Sequence, residues 1–228
     1  MQQANVSYIM PVYNGEQYIA EAIDSLLAQT LPPIQIIIID DGSTDGTAEI
    51  VARYGDRITS IHQTNAGQSA ARNHGVRLAK TPFVAFLDAD DLAHPQKLQC
   101  QLQRFNERPN LQLCDGYIRN FWSPELTPNQ RSNDLQYLKP YPGSIITWLA
   151  RRELFDTVGE FKQEMSFGED TDWYLRVKDS GATVETLPDV LASRRLHLNN
   201  ITRRNPEKRN DALVELIKAR RDRIRKKT

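Results

Sequence analysis

The sequence predicts an α/β protein with a mostly parallel sheet flanked by helices. Three observations carry that expectation. Apolar runs without polar alternation, such as Ile36-Ile37-Ile38-Ile39 and Phe83-Val84-Ala85-Phe86-Leu87, suit strands covered on both faces. Stretches with helical apolar spacing lie between such runs. Each run also ends in a short polar cluster, at the strand ends where open α/β sheets bind ligands.

The elements follow in order. Asn5 to Met10 reads as a first strand, then a turn over Pro11–Gly15. Ile19, Ala22, Ile23, Leu26 and Leu27 place an amphipathic helix before Pro32-Pro33. A second strand, Ile34 to Ile39, ends in Asp40-Asp41-Gly42-Ser43, and Asp45 suits the cap of the next helix. Ile58 to His62 is a third strand; Asn65 to Ser69 leads into a helix through Leu78; Thr81-Pro82 resets the chain into the Phe83 strand. Leu98, Leu102 and Phe105 mark a further helix. The rhythm then changes, with a strand over 111–121, a polar loop over 123–141 and a strand over 143–150. A short helix over 152–158, a helix over 171–179 and two closing strands over 183–187 and 191–196 follow. Pro206 opens a last helix with Leu213, Leu216, Ile217 and Ile224 on one side. This gives one domain over 1–204, with halves meeting near 110, and a C-terminal helix over 205–228.

Composition fits a soluble globular protein, with 39% hydrophobic and 25% charged residues. The charge is uneven. Residues 203–228 hold eleven Lys or Arg against four acids, a net +7, so the formally neutral chain carries −7 elsewhere. Cys100 and Cys114 suggest neither a disulfide framework nor a zinc site. The N-terminus shows no basic-then-apolar leader, so the cytoplasm is the expected compartment. The basic helix suits docking on the protein, a second subunit or the inner face of an anionic membrane. Nothing in the first half supports nucleic-acid binding.

The chemistry concentrates at Asp88-Ala89-Asp90-Asp91. Crowded carboxylates repel, and hard oxygen ligands suit Mg²⁺ or Mn²⁺. The alternative is a strand end capping the next helix. Asp41 onward resembles a calcium loop in composition, but Ala52 stands where the bidentate Glu belongs. The first strand also lacks Gly-x-Gly-x-x-Gly, which argues against a Rossmann-type dinucleotide site.

Four segments occur in order: Pro11-Val12-Tyr13-Asn14, Asp40-Asp41-Gly42-Ser43-Thr44-Asp45, Asn65-Ala66-Gly67-Gln68-Ser69-Ala70-Ala71-Arg72-Asn73 and Phe86-Leu87-Asp88-Ala89-Asp90-Asp91. Together they resemble the nucleotide-binding half of a family 2 glycosyltransferase with the GT-A fold. Gly168-Glu169-Asp170-Thr171-Asp172-Trp173 is similar to that family's acidic acceptor-side motif. The resemblance implies an inverting transferase using a nucleotide sugar, with UDP as the expected nucleotide, and Mn²⁺ or Mg²⁺. It implies that Pro11, Tyr13 and Glu16 line the nucleobase and ribose pocket, with Asp41 or Asp40 reading the uracil edge. Gly67 would let backbone approach the nucleotide, and Arg72 would sit near base or diphosphate. Asp88 and Asp90 match the Asp-x-Asp, with Asp90 the direct metal ligand; Asp91 would back them or cap a helix. His197, in the late segment Arg194–Thr202, would face metal and diphosphate and is a candidate third metal ligand. Asp170 would be the general base and Glu169 would orient the acceptor, a saccharide, lipid-linked or protein hydroxyl. Trp148, Trp173 and Tyr174 are candidates to stack on a sugar, although a core position is equally natural for them. Two alternatives stay open on the residues alone: a sugar-nucleotide nucleotidyltransferase, and a sugar-nucleotide binding protein without catalysis.

Overall fold

The computed structural model describes residues 3–131, 138–165, 167–200, 216–223 and 225. The first half alternates as expected: β1 (Ala4–Val12), α1 (Ile19–Leu27), β2 (Pro33–Asp40), α2 (Thr47–Ala52), β3 (Thr59–His62), α3 (Gln68–Leu78) and β4 (Phe83–Phe86). Ile36 to Ile39 and Val84 to Leu87 are all buried, which is why those runs lack polar alternation. Helix α1 buries Ile19, Ala22, Ile23 and Leu26, the single face that their spacing defines.

β1 pairs in parallel with β2 on one side and β4 on the other, and β3 adds outside β2. The chain therefore leaves β1 in one direction and returns through α3 to its opposite side. That reversal opens a crevice over the carboxyl ends of β1 and β4. Gly75 makes the return possible: a Cβ there would lie 2.4 Å from Ile9 Cγ2, so only glycine lets α3 lie this close to β1.

The second half contains β5 (Leu92–Ala93), α4 (Lys97–Glu107), β6 (Leu113–Trp122), β7 (Tyr141–Pro142), β8 (Leu149–Arg151), α5 (Glu153–Val158), α6 (Glu169–Asp179) and β9 (Val184–Leu196). Among the described residues the strands form one sheet in the order β3-β2-β1-β4-β8-β6-β9-β5, with β7 on β6. β8 runs antiparallel to both β4 and β6 and so joins the halves. The antiparallel pairs lie at this junction and beyond it.

Several expected boundaries move. The strand expected over 143–150 is a 3₁₀ turn at Ile145–Thr147 followed by the short β8; Thr147 Oγ1 closes the turn by donating to Ser144 O at 2.7 Å. The two closing strands are one, because Pro188 falls in a register shift against β6 instead of ending the strand. The carboxylates after β4 do not cap a helix. They run into β5, and α4 starts only at Lys97.

Trp148 and Trp173 correct an expectation. They are 1% and 0% exposed, and their rings stack on each other with centroids 5.4 Å apart. Trp173 also stacks on Phe155 at 4.4 Å and donates from its indole N–H to Gly159 O at 2.9 Å. These tryptophans build the core of the second half, where no sugar reaches them. Of the C-terminal apolar stripe, Leu216 is buried, Ile217 is 62% exposed, and Leu213 and Ile224 lie outside the described residues. Among the described residues, no helix is long and apolar enough to cross a membrane.

Candidate active site

Four loops meet over the carboxyl ends of the parallel strands, and backbone groups stitch them together. Asn14, at φ 52°, donates its N–H to Ser43 Oγ at 2.9 Å, while its side chain accepts from Thr44 N at 2.8 Å. Gly15 N donates to Thr47 Oγ1 at 2.8 Å, and Glu16 Oε2 accepts from Gly46 N at 2.7 Å. Glu16 therefore straps the first loop to the second. Pro11 is buried opposite Ile39, whereas Tyr13 is 54% exposed at the crevice rim.

The two aspartates after β2 have different tasks. Asp41 accepts from the backbone N–H groups of Ala66 and Gly67 at 2.9 and 2.8 Å and from Gln63 Nε2 at 2.7 Å. It fixes the loop in which Gly67 takes a φ of +90°. Asp40 accepts from Ser43 N at 2.9 Å and faces His62 Nδ1 at 3.0 Å. Burial alone would raise the Asp40 carboxyl, but the bonds from Ser43 and His62 draw it below its ordinary value.

Asp88, Asp90 and Asp91 point to three different partners. Asp88 Oδ1 accepts from Arg72 Nη2 at 2.8 Å and Gln68 Nε2 at 3.2 Å. Asp90 Oδ2 faces His197 Nε2 at 2.9 Å and Asn200 Nδ2 at 3.3 Å. Asp91 is buried and accepts from Arg195 N at 2.8 Å, so it anchors the end of β9. Burial, with the charges of Asp90 and Asp88 added, pushes the Asp91 carboxyl well above its usual range.

Arg72 joins the two halves. It is 2% exposed, and its Nη1 donates to Glu169 Oε1 at 2.6 Å while Nη2 holds Asp88. Burial opposes its charge, but Asp88, Glu169 and Asp170 outweigh burial and hold the guanidinium more firmly protonated. Burial pushes Glu169 up, against the pull of Arg72. Asp170, one residue on, is only partly buried. Its Oδ1 accepts from Thr171 N at 2.6 Å, and it makes no ion pair among the described residues. Asp172 is fully buried and bonded to Arg176, Lys162 and Arg223, so it is spoken for structurally.

The sequence points to His197 but is silent on its neighbours. Arg195 stacks between Tyr18 and Phe121, 4.7 Å from each ring centroid, and its Nε donates to Asp90 O at 3.0 Å. Asn200 Oδ1 accepts from His197 N at 2.7 Å. An Arg, a His and an Asn within six positions at the end of a strand were the available signal. His197 Nδ1 accepts from Asn199 N at 3.2 Å, which leaves the neutral ring's proton on Nε2, aimed at Asp90. In this arrangement His197 is a donor to Asp90.

The donor set fits a hard divalent cation. Asp88 Oδ2 and Asp90 Oδ1 stand outside the bonds just described, on side chains 29% and 32% exposed. Among the described residues no group of three or more His, Cys, Asp or Glu is arranged for a metal. Mg²⁺ and Mn²⁺ take one or two carboxylates and complete their shell with substrate phosphates and water, so Asp88 and Asp90 are the residues that would hold such a cation.

The glycosyl transferase family 2 model matches residues 7–179. The chain belongs to that family. Its relatives include an uncharacterized glycosyltransferase of Rickettsia typhi, 34% identical over 206 residues, covering 84% of this chain and 64% of that protein. The uncharacterized glycosyltransferase EpsJ of Bacillus subtilis is 34% identical over 216 residues, covering 86% and 62%. The chain thus spans a little under two thirds of these relatives' length. Among solved structures, S. aureus TarS 1–349 in complex with UDP-GlcNAc superposes with a TM-score of 0.67 at 23% identity, covering 88% of this chain and 60% of that one. The mannosyltransferase PcManGT from Pyrobaculum calidifontis, in complex with GDP-Man and Mn²⁺, gives 0.73 at 21%, covering 97% and 65%. At these identities the likeness shows the fold, which is the GT-A arrangement that the ordered motifs imply.

Proposed function

We propose that this family 2 chain is a metal-dependent, inverting glycosyltransferase that moves a sugar from a UDP-sugar to an acceptor hydroxyl. One observation carries the reading: buried Arg72 bonds Asp88, at the strand-end crevice, to Glu169, beside the open carboxylate of Asp170. A donor in the crevice and an acceptor at α6 would meet across that bridge. The family match and the nucleotide-sugar complexes of two structural neighbours support the same reading.

The roles follow from the chemistry. Pro11, Tyr13, Asp40, Asp41 and the backbone at Gly67 shape the nucleoside end, with Glu16 holding two of the loops. Asp90 and Asp88 would hold Mn²⁺ or Mg²⁺ against the diphosphate. When bound, that cation offsets charge developing on the leaving nucleotide. Asp170 takes the proton from the acceptor oxygen as that oxygen bonds to the anomeric carbon. The bond from that carbon to the diphosphate breaks on the opposite side, so configuration inverts. Glu169, bonded to Arg72 through Oε1, would orient the acceptor beside this carboxylate. The outer face of the C-terminal helix, with exposed Ile217 and Arg221, is the proposed contact with an anionic membrane.

Calorimetry tests the donor assignment. UDP is expected to bind with micromolar affinity in Mn²⁺ and at least about tenfold more weakly in chelator, a difference of roughly 1.4 kcal/mol. Tighter binding of GDP than of UDP would move the donor to the guanosine class. Equal binding with and without metal would remove the metal from the donor site.

A further inference from the structure

We propose that the C-terminal helix is part of the acceptor-side machinery, with Arg223 and Leu216 acting as positioning residues for Asp170. The inference rests on Asp170 being the base. Residues 216–223 are helical and lie against α6. Arg223 Nη1 donates to Asp172 Oδ1 at 2.8 Å. Lys162 reaches the same oxygen at 3.3 Å, and Arg176 Nε takes Oδ2 at 2.8 Å. The Asp172 backbone N–H bonds to Gly168 O at 2.8 Å and closes the turn that contains Glu169 and Asp170. Arg223 thus grips the far end of the turn that carries the base.

Leu216 covers its near end. Gly168 has a φ of +74°, and a Cβ there would come within 2.8 Å of Leu216 Cδ1. At the other end of α6, Arg220 donates to Asp179 Oδ1 through Nε and Nη2 at 3.2 and 3.0 Å. The C-terminal helix is therefore tied to α6 at both ends.

The charges explain why such a tie matters. The first turn of α6 holds three acids, Glu169, Asp170 and Asp172. Arg72 answers the first, and Arg176, Lys162 and Arg223 answer the third. Between them Asp170 keeps a carboxylate without an ion pair among the described residues, which leaves it open to an acceptor proton. Loosening either flank lets the turn shift, and small misplacements of a reacting group cost large factors in rate.

The test uses whichever of UDP-glucose, UDP-GlcNAc, UDP-galactose and GDP-mannose the full chain hydrolyses fastest in Mn²⁺, with water as acceptor. Arg223→Ala is expected to lower kcat by about 10–100-fold while nucleotide affinity stays within about twofold. Arg223→Lys should recover part of the loss, because an ammonium still reaches one Asp172 oxygen. Combined with Asp170→Asn, Arg223→Ala should add little further loss, since both act on one proton transfer. Should Arg223→Ala fail to fold, Leu216→Ala carries the same comparison. An unchanged kcat in the folded variant overturns the proposal. So does full additivity with Asp170→Asn, or loss of nucleotide binding in step with kcat. Full turnover in Asp170→Asn alone removes the base assignment, and this inference with it.

Discussion

Replacing Asp90 with alanine is expected to reduce donor turnover by at least about 10³-fold, in line with the several kcal/mol a catalytic metal supplies. Among the described residues, neither neighbouring carboxylate can replace it. Asp88 is committed through Oδ1 to Arg72 and Gln68, and Asp91 is buried beneath β9. Asp90 also holds the 195–200 segment through His197 and Asn200, so alanine removes a structural link as well. Asp90→Asn separates the two effects. Its amide oxygen can still accept from His197 Nε2, but it lacks the charge that a hard cation needs. Both variants should be inactive, with Asp90→Asn melting close to the parent, and chelator should inactivate the parent equally. Full activity of the parent in chelator, or of either variant, would sink the metal role.

The second large effect falls on Asp170. Asp170→Asn keeps size and hydrogen-bonding reach but cannot take a proton at neutral pH. Transfer should slow by roughly 10²–10⁴, the usual range for a lost general base. Donor affinity should stay within a few-fold, because Asp40, Asp41, Asp88 and Asp90 lie on other loops. Calorimetry and product formation on one folded preparation measure both halves. Unchanged transfer would remove Asp170 from the role. Its neighbours are poor replacements: Glu169 is bonded to Arg72, and Asp172 is buried among three cations.

The first half was legible because its signals are local. Ile36–Ile39 and Val84–Leu87 are continuous apolar runs, and the polar clusters that follow them are contiguous in the chain. Fold alone then brings the ends of β1, β2, β3 and β4 together. The bridge between halves was not legible. Arg72 and Glu169 are 97 residues apart, and no local pattern specifies that pair. Trp148 and Trp173 show a different limit, since a tryptophan has the same sequence neighbours whether it lines a groove or fills a core. β5 is two residues long, too short to have a period. The basic tail was legible only as a set of options, for a physical reason. Its charge and apolar stripe suited docking on the protein, a second subunit or a membrane alike, and the acids on α6 that Arg220 and Arg223 bond cannot be located from composition.

Proton NMR of the anomeric position, recorded during turnover of an α-linked UDP-sugar in Mn²⁺, tests the transferase assignment most directly. Direct displacement with Asp170 as base predicts that the β-anomer appears first, with UDP released in equal amount. First appearance of the α-anomer, or no consumption of any nucleotide sugar with either Mn²⁺ or Mg²⁺, would contradict it.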